Sequence, residues 1–315
     1  MAAKSWKEWE KPLIELEDAL TKLVERSKIA PEAERAEIEA KVAEYERRRD
    51  HYIDVMYSRL GPWEKVLVAR AEKRPYTLDY VQALFTEFTE LDGDRRFGAD
   101  HAIVGGPAMF EGRPVMVVGH QKGRNIQERQ YRNFAMAKPE GYRKAMRLFE
   151  MANRFGLPVV TFVDTPAADP GVESEARGIS EALAASMLRM FELRVPTISL
   201  VIGEGGSGGA LGIAVANSIL MQEHAIYSVI PPEGCAAILW RAPEKAPQAS
   251  AALRLTAQSA LELGLIDAIL PEPRGGAHRD PAEAAAIIRE ALRTELNDQS
   301  KRSGDQLKAE RYEKF

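Results

Sequence analysis

Apolar positions along the chain change their spacing twice. In residues 6–60, Trp9, Leu13, Leu16, Leu20 and Leu23 recur at alternating steps of four and three, which lines one seam of a helix. A break at Ile29 and Ala30 precedes Pro31, which suits the start of a second helix with Ile38, Val42, Tyr45, Tyr52 and Met56 on its stripe. Two facing stripes predict an antiparallel hairpin, either a brace for the main body or a docking arm. From Arg74 the pattern mixes periods. Thr77 or Asp79 caps a predicted helix running to Leu91, with Val81, Leu84, Phe85 and Phe88 buried. Residues 102–110 and 114–120 read as strands around the turn Glu111-Gly112-Arg113, and residues 140–155 as a helix.

A buried strand at residues 159–163, a helix at 175–193 and a second buried strand at 198–202 follow. Beyond Asn217 come short strands at 218–221 and 225–229, helices at 233–240 and 249–263, and a strand at 266–270. A last helix starts at Pro281, and its charged end is expected to fray. Alternating strands and helices predict an α/β fold with a parallel sheet. The loops at 164–171 and 203–209 then leave the same edge of that sheet, and their convergence forms a pocket.

The second of these loops carries the chemistry. Gly203-Glu204-Gly205-Gly206-Ser207-Gly208-Gly209-Ala210-Leu211 leads from a strand toward a helix with almost no side chains. Its backbone N–H groups can approach a ligand closely and stabilise negative charge. A P-loop would end in Gly-Lys-Ser/Thr, and no lysine or hydroxyl follows Gly208-Gly209 here. A dinucleotide fingerprint lacks its βαβ unit and ribose-binding acid. A developing oxyanion is therefore the favoured partner. Close packing of helix on sheet is the alternative reason for the glycines, and both can hold together.

Composition narrows the field. With 47 acidic and 43 basic residues the net charge is −4, so no overall basic excess points to nucleic acid. Cys235 is the only cysteine, which excludes an internal disulfide and a multi-cysteine zinc site. It reads as a packed thiol rather than a nucleophile, since no base or positive group stands beside it. No metal site is expected. Residues 1–9 lack the apolar core of a signal peptide, and no apolar run reaches membrane-spanning length. A cytoplasmic protein is expected. His120 ends a strand and is either a catalytic base or a histidine satisfied by its own surroundings.

Seven motifs in order then resemble one family. They are Arg74-Pro-Tyr-Thr-Leu-Asp79, Ile103-Val-Gly-Gly106, Gly112-Arg-Pro-Val-Met116, Gly119-His-Gln-Lys-Gly-Arg124, Pro139-Glu-Gly-Tyr-Arg-Lys-Ala145, Gly203 to Leu211, and Pro232-Glu-Gly-Cys-Ala-Ala-Ile-Leu-Trp240. Together they resemble the carboxyltransferase alpha subunits of bacterial acetyl-CoA carboxylase. The resemblance implies a crotonase-like fold of stacked ββα units at residues 74–315, preceded by the helical hairpin at 1–73. It implies transfer of a carboxyl group from carboxybiotin to acetyl-CoA, giving malonyl-CoA, the first committed step of fatty acid biosynthesis. The implied partners are a beta subunit, the biotin carboxyl carrier protein that bears the biotin, and biotin carboxylase in the larger complex. No cofactor is expected to be covalently bound to this chain. By position, Gly208 and Gly209 match the oxyanion-hole glycines that hydrogen-bond the ureido oxygen of biotin. Gly205, Gly206, Ala167 and Ala168 would then line the carboxybiotin pocket.

The chain departs from the family pattern beside that pocket. Asp164-Thr-Pro-Ala-Ala-Asp-Pro-Gly171 stands where the family reads Asp-Thr-Pro-Gly-Ala-Tyr-Pro-Gly, Ser174-Glu-Ala-Arg-Gly-Ile179 where it reads Ala-Glu-Glu-Arg-Gly-Gln, and Ala135 where it has glycine. Alanine for glycine costs roughly 1 kcal/mol or more where φ must be positive, and Asp169 for tyrosine replaces an aromatic wall with a charge. Another acyl-CoA, or a non-catalytic role in binding the carrier or the beta subunit, remain alternative readings. Gly209→Val is expected to abolish carboxyl transfer and leave the chain folded, as checked by malonyl-CoA formation and circular dichroism.

Overall fold

The seams of the first two helices do meet. In the computed structural model, which describes residues 6–315, α1 (Trp6–Ile29) and α2 (Glu32–Tyr57) pack as a hairpin with Leu13, Leu20 and Ile38 buried. Met1 to Ser5, part of the stretch read above as lacking a signal sequence, lie outside the described residues. One stripe position is corrected: Tyr52 is exposed and Ile53 is buried. The base of α2 meets both α1, where Tyr57 donates to Glu10 and packs on Trp9, and the loop at residues 274–279, with Ile53 close against Gly275. The α3 helix (Pro62–Ala69) buries Val66 to Ala69, and α4 (Thr77–Leu84) opens with the Asp79 carboxylate accepting from the Tyr76 N–H at 2.7 Å.

The predicted run of α4 to Leu91 is wrong. Phe85 turns extended, Thr86 pairs with Met109, and the Thr89 and Leu91 N–H groups donate to the Pro107 and Gly105 carbonyls. The outer edge of β1 (Ile103–Phe110) offers unpaired carbonyls, and these bonds win over helical propensity. The β2 strand (Arg113–His120) pairs antiparallel with β1. A short α5 (Ile126–Tyr131) and α6 (Pro139–Phe155) lead to β3 (Val159–Thr165). The predicted helix at 175–193 is broken by Gly178 at φ +81 into α7 (Val172–Ala176) and α8 (Ile179–Phe191).

β4 (Thr197–Gly206) pairs parallel with β3 and runs through what the sequence read as a loop. Its first half pairs with β5 (Ser218–Gln222) and its last three residues with β6 (Ile226–Ser228), so the one strand has two successive partners on the same side. The helix after it, α9 (Ser207–Leu211), is only five residues long. The remaining elements are α10 (Pro232–Trp240), α11 (Ala246–Ala252), α12 (Ala257–Glu262), β7 (Ala268–Leu270), α13 (Pro281–Gln299) and α14 (Gly304–Lys314). Arg254, at φ +50, lies between α11 and α12 where one helix was predicted.

The sheet order is β1-β2-β3-β4-β5-β7, parallel from β2 onward. One face buries Tyr142, Leu148 and Phe149 of α6 with Ala182 and Met190 of α8; the other buries Tyr80 of α4 with Ile288, Leu292 and Leu296 of α13. The C-terminal end does not fray as expected. Arg311 of α14 is fully buried and donates to Asn217 and Thr197, and the Phe191 ring packs against Tyr312 and edge-on against Phe315.

Arg241 ends α10 in the left-handed region at φ +52, exposed and with a backbone geometry that favours glycine. Arg241→Gly is expected to raise the unfolding free energy by about 0.5–1 kcal/mol in urea titrations.

Candidate active site

The parallel strands β2, β3 and β4 end side by side, and each end carries a charge. Lys122, just past β2, donates to Asp164 of β3 at 2.7 Å and to Glu204 of β4 at 3.0 Å. The Glu204 N–H donates to the same Asp164 oxygen at 2.9 Å. A Cβ at Gly203 would lie 2.3 Å from that oxygen, so glycine there lets the carboxylate reach across. Arg70 continues the chain, donating to Glu204 at 2.8 Å and to Glu233 at the start of α10 at 2.5 Å. Burial alone would push Glu204 up, but Arg70 and Lys122 outweigh it and hold the carboxyl at about 2. Burial alone would lower Lys122, yet the two carboxylates raise it above the ordinary lysine range. From sequence, Lys122 entered only as part of the motif at 119–124 and without a role; a charge at the end of each of three neighbouring strands was the available signal.

Above this network the two loops converge as expected. A Cβ on Gly206 would meet the Pro166 carbonyl oxygen at 1.9 Å, and one on Gly209 would meet the Ala167–Ala168 peptide at 2.5 Å. The missing side chains at Gly205 and Gly212 are filled by the rings of Tyr227 and Tyr142. Close packing thus explains most of these glycines. Gly208 differs: it is half-buried, and its nearest neighbour would be the Leu183 methyl at 3.4 Å. Gly209 is buried, while Ala167 and Ala168 are half-buried. Because a valine side chain in place of Gly209 would strike backbone, Gly209→Val must displace the 166–168 loop, so it tests more than the amide alone.

Ser207 makes the sharp turn from β4 into α9 with φ +51, a strained conformation for serine. Gly208 and Gly209 then occupy the first turn of α9, where N–H groups have no intrahelical acceptor. Among the described residues, no backbone or side-chain acceptor outside the helix meets them. At Gly208 and Gly209 the turn presents peptide groups and no side chains. Against the charged network lies a cavity of about 200 Å³ lined by Arg70, Tyr76, Lys122, Arg129, Phe134 and Glu204.

His120 is not positioned as a base. It is fully buried against the Gly209 and Phe162 backbone, and burial, with Lys122 nearby, lowers its pKa to about 3. Cys235 lies half-buried on α10.

The departures from the family pattern meet one another. Ser174 donates to one oxygen of Asp169, and Asn133 Nδ2 donates to the other at 3.2 Å. Asp169 therefore spends both oxygens within the loops. Asn133, Phe134 and Ala135 form a left-handed turn with φ 45, 55 and 62, pinned where Thr165 Oγ1 donates to the Ala135 carbonyl at 2.6 Å. Alanine is strained at 135, whereas Ala167 is not at positive φ.

A mixed α/β sheet whose fourth strand ends in a glycine turn carries the site, and the solved structures that resemble this chain share that fold. Residues 6–315 match the family described as acetyl co-enzyme A carboxylase carboxyltransferase-like, and the chain belongs to that family. It is 51% identical over 315 residues to the acetyl-coenzyme A carboxylase carboxyl transferase subunit alpha of Geobacter metallireducens, covering 100% of this chain and 98% of the relative. The subunit of the same name from Thermus thermophilus is 51% identical over 308 residues, 98% of this chain and 96% of the relative. Among solved structures, a chain of a Pseudomonas malonate decarboxylase hetero-tetramer in complex with coenzyme A matches with TM-score 0.59 and 20% identity, over 74% of this chain and 91% of that one. Transcarboxylase 12S matches with TM-score 0.57 and 20% identity, over 73% of this chain and 44% of that one. These two share the fold. The alpha-subunit relatives and multi-subunit neighbours imply partner subunits. No described helix is long and apolar enough to cross a membrane.

The stabilisation from Glu204 has a definite pH sign. Its folded value lies below the ordinary 4.5, so its contribution is complete above that pH and is lost as pH falls toward 2. Lys122→Met would leave two buried carboxylates without their shared cation. It is expected to cost about 3–5 kcal/mol at neutral pH and to move the acid-unfolding midpoint to higher pH, both read from urea and acid titrations.

Proposed function

We propose that this chain supplies the carboxyl-donor half of the acetyl-CoA carboxylase carboxyltransferase reaction, with Gly208 and Gly209 as the oxyanion-binding amides. The carrying observation is the side-chain-free turn at the head of α9, where two N–H groups lack acceptors, within a chain that matches the family from residue 6 to residue 315. Carboxybiotin, borne on a carrier protein, supplies the transferable carboxyl group. The residues fit it: a urea oxygen gaining negative charge needs two converging donors and no acid or base. In this reading the Gly208 and Gly209 amides grip that oxygen. The peptides of Gly205, Gly206, Ala167 and Ala168 form the wall that orients the ring, and the packed 166–168 loop keeps water from the amides' inner side.

Acetyl-CoA and the groups that bind it would come from a beta subunit, with a biotin carboxyl carrier protein and biotin carboxylase completing the complex in the cytoplasm. The N-terminal helical hairpin at 1–73 would act as a brace on the carboxyltransferase domain at 74–315, a reading supported by Arg70 and Glu10, which pair with Glu204 and Arg279. Asp169 motivated another acyl-CoA as substrate. Its engagement with Ser174 and Asn133 keeps that charge within the loops, which supports acetyl-CoA.

The test removes an N–H without adding atoms. Replacing the Gly209 nitrogen by an ester oxygen, in the chain reconstituted with its beta subunit and biotinylated carrier, is expected to lower malonyl-CoA formation about 10²- to 10³-fold. Near-normal transfer by the ester variant would overturn the assignment of the amides. With the unmodified chain, acetyl-CoA should be carboxylated in preference to propionyl-CoA; the reverse order would overturn the substrate.

A further inference from the structure

The donors of an oxyanion site work only if the helix that carries them is held still, and α9 is too short to hold itself. Its last carbonyls need partners outside the helix. The Gly208 carbonyl accepts from the Gly212 N–H at 2.9 Å, but Ile213 turns back to Ala210, so no backbone N–H reaches the Gly209 carbonyl. Instead Tyr142 Oη, from α6, donates to the Gly209 carbonyl at 3.1 Å. Ser186 Oγ, from α8, donates to the Gly212 carbonyl at 2.6 Å. Both side chains are fully buried, and the Tyr142 ring fills the space that a Cβ on Gly212 would need.

From this geometry we infer that Tyr142 and Ser186 are positioning residues: two hydroxyls from neighbouring helices clamp the carbonyl end of α9 and so aim its Gly208 and Gly209 amides into the cleft. The inference rests on the proposed role of those amides. Neither hydroxyl touches the ligand. Each acts by satisfying a buried carbonyl that would otherwise be drawn out of line, because an unpaired buried acceptor is costly and the turn can relieve it by rotating. Tyr142 is well suited, since α6 is anchored independently through Lys144, which donates to Asp92 at 2.9 Å and to the Asp100 carbonyl at 2.7 Å.

The experiment uses the chain assembled with its beta subunit, with malonyl-CoA as donor and free biotin as acceptor, so that both KM values are read. Tyr142→Phe keeps the packing ring and removes only the hydroxyl; Ser186→Ala does the same on the other side. Each is expected to lower kcat by about tenfold or more while both KM values stay within about twofold. The double variant should lose less than the product of the two single losses, because both hydroxyls act on one turn. Circular dichroism at the assay temperature gives the folded fraction, and Ser186→Ala carries the test if Tyr142→Phe folds poorly.

Wild-type kcat in the folded variants, a change confined to KM, or losses that merely follow the folded fraction would overturn the inference. An inactive Gly209 ester variant alongside fully active hydroxyl variants would overturn the clamp and leave the amide role standing. A fully active ester variant would overturn both.

Discussion

A single buried ammonium sets the geometry of the cleft. Lys122 stands between Asp164 and Glu204 and so joins the ends of β2, β3 and β4; Arg70 extends the alternation of charge to Glu233 on α10. Each charge in such a row is costly to bury alone and is stable only because its neighbours have the opposite sign. Removing Lys122 leaves Asp164 without its ion-pair partner and Glu204 with Arg70 alone. The strand ends are therefore fixed relative to one another, and the glycine turn that follows Glu204 inherits that position.

The site divides its work between charges and peptides. The charged side chains lie beneath the turn and engage one another. In the proposed function, the surface offered to the carboxyl donor consists of backbone N–H groups at Gly208 and Gly209. Peptide dipoles held in this way require little reorganisation when negative charge develops, which suits chemistry that passes through an anion without a resident acid or base. His120, buried and depressed to about 3, is consistent with that arrangement.

Much of this was readable from local pattern. The hairpin seam, the alternation of strands and helices, and the strand–glycine–helix order around Gly203 follow from spacing and from small residues. What escaped was decided by distant partners. The end of α4 is set by carbonyls on β1, and the break at Gly178 by a left-handed backbone within a helical pattern. Most glycines of the turn are required by the neighbouring 166–168 loop and by Tyr142 and Tyr227, contacts that no spacing encodes. Asp169 and Ser174 illustrate the same limit. Each looked like an isolated departure until the fold showed one hydrogen-bonding the other.

The docking of α14 bears on the order of assembly. Arg311 reaches Asn217 and Thr197 at the beginning of β5 and β4, and Lys314 reaches the Asn217 carbonyl at 3.1 Å. The strand that delivers the glycine turn is thus sealed at its far end by a helix whose Arg311 lies 114 residues further along the chain than Thr197. During synthesis the strands β1 to β7 can pair before that helix exists, and the base of β4 gains its cover only once α14 has been made and has docked.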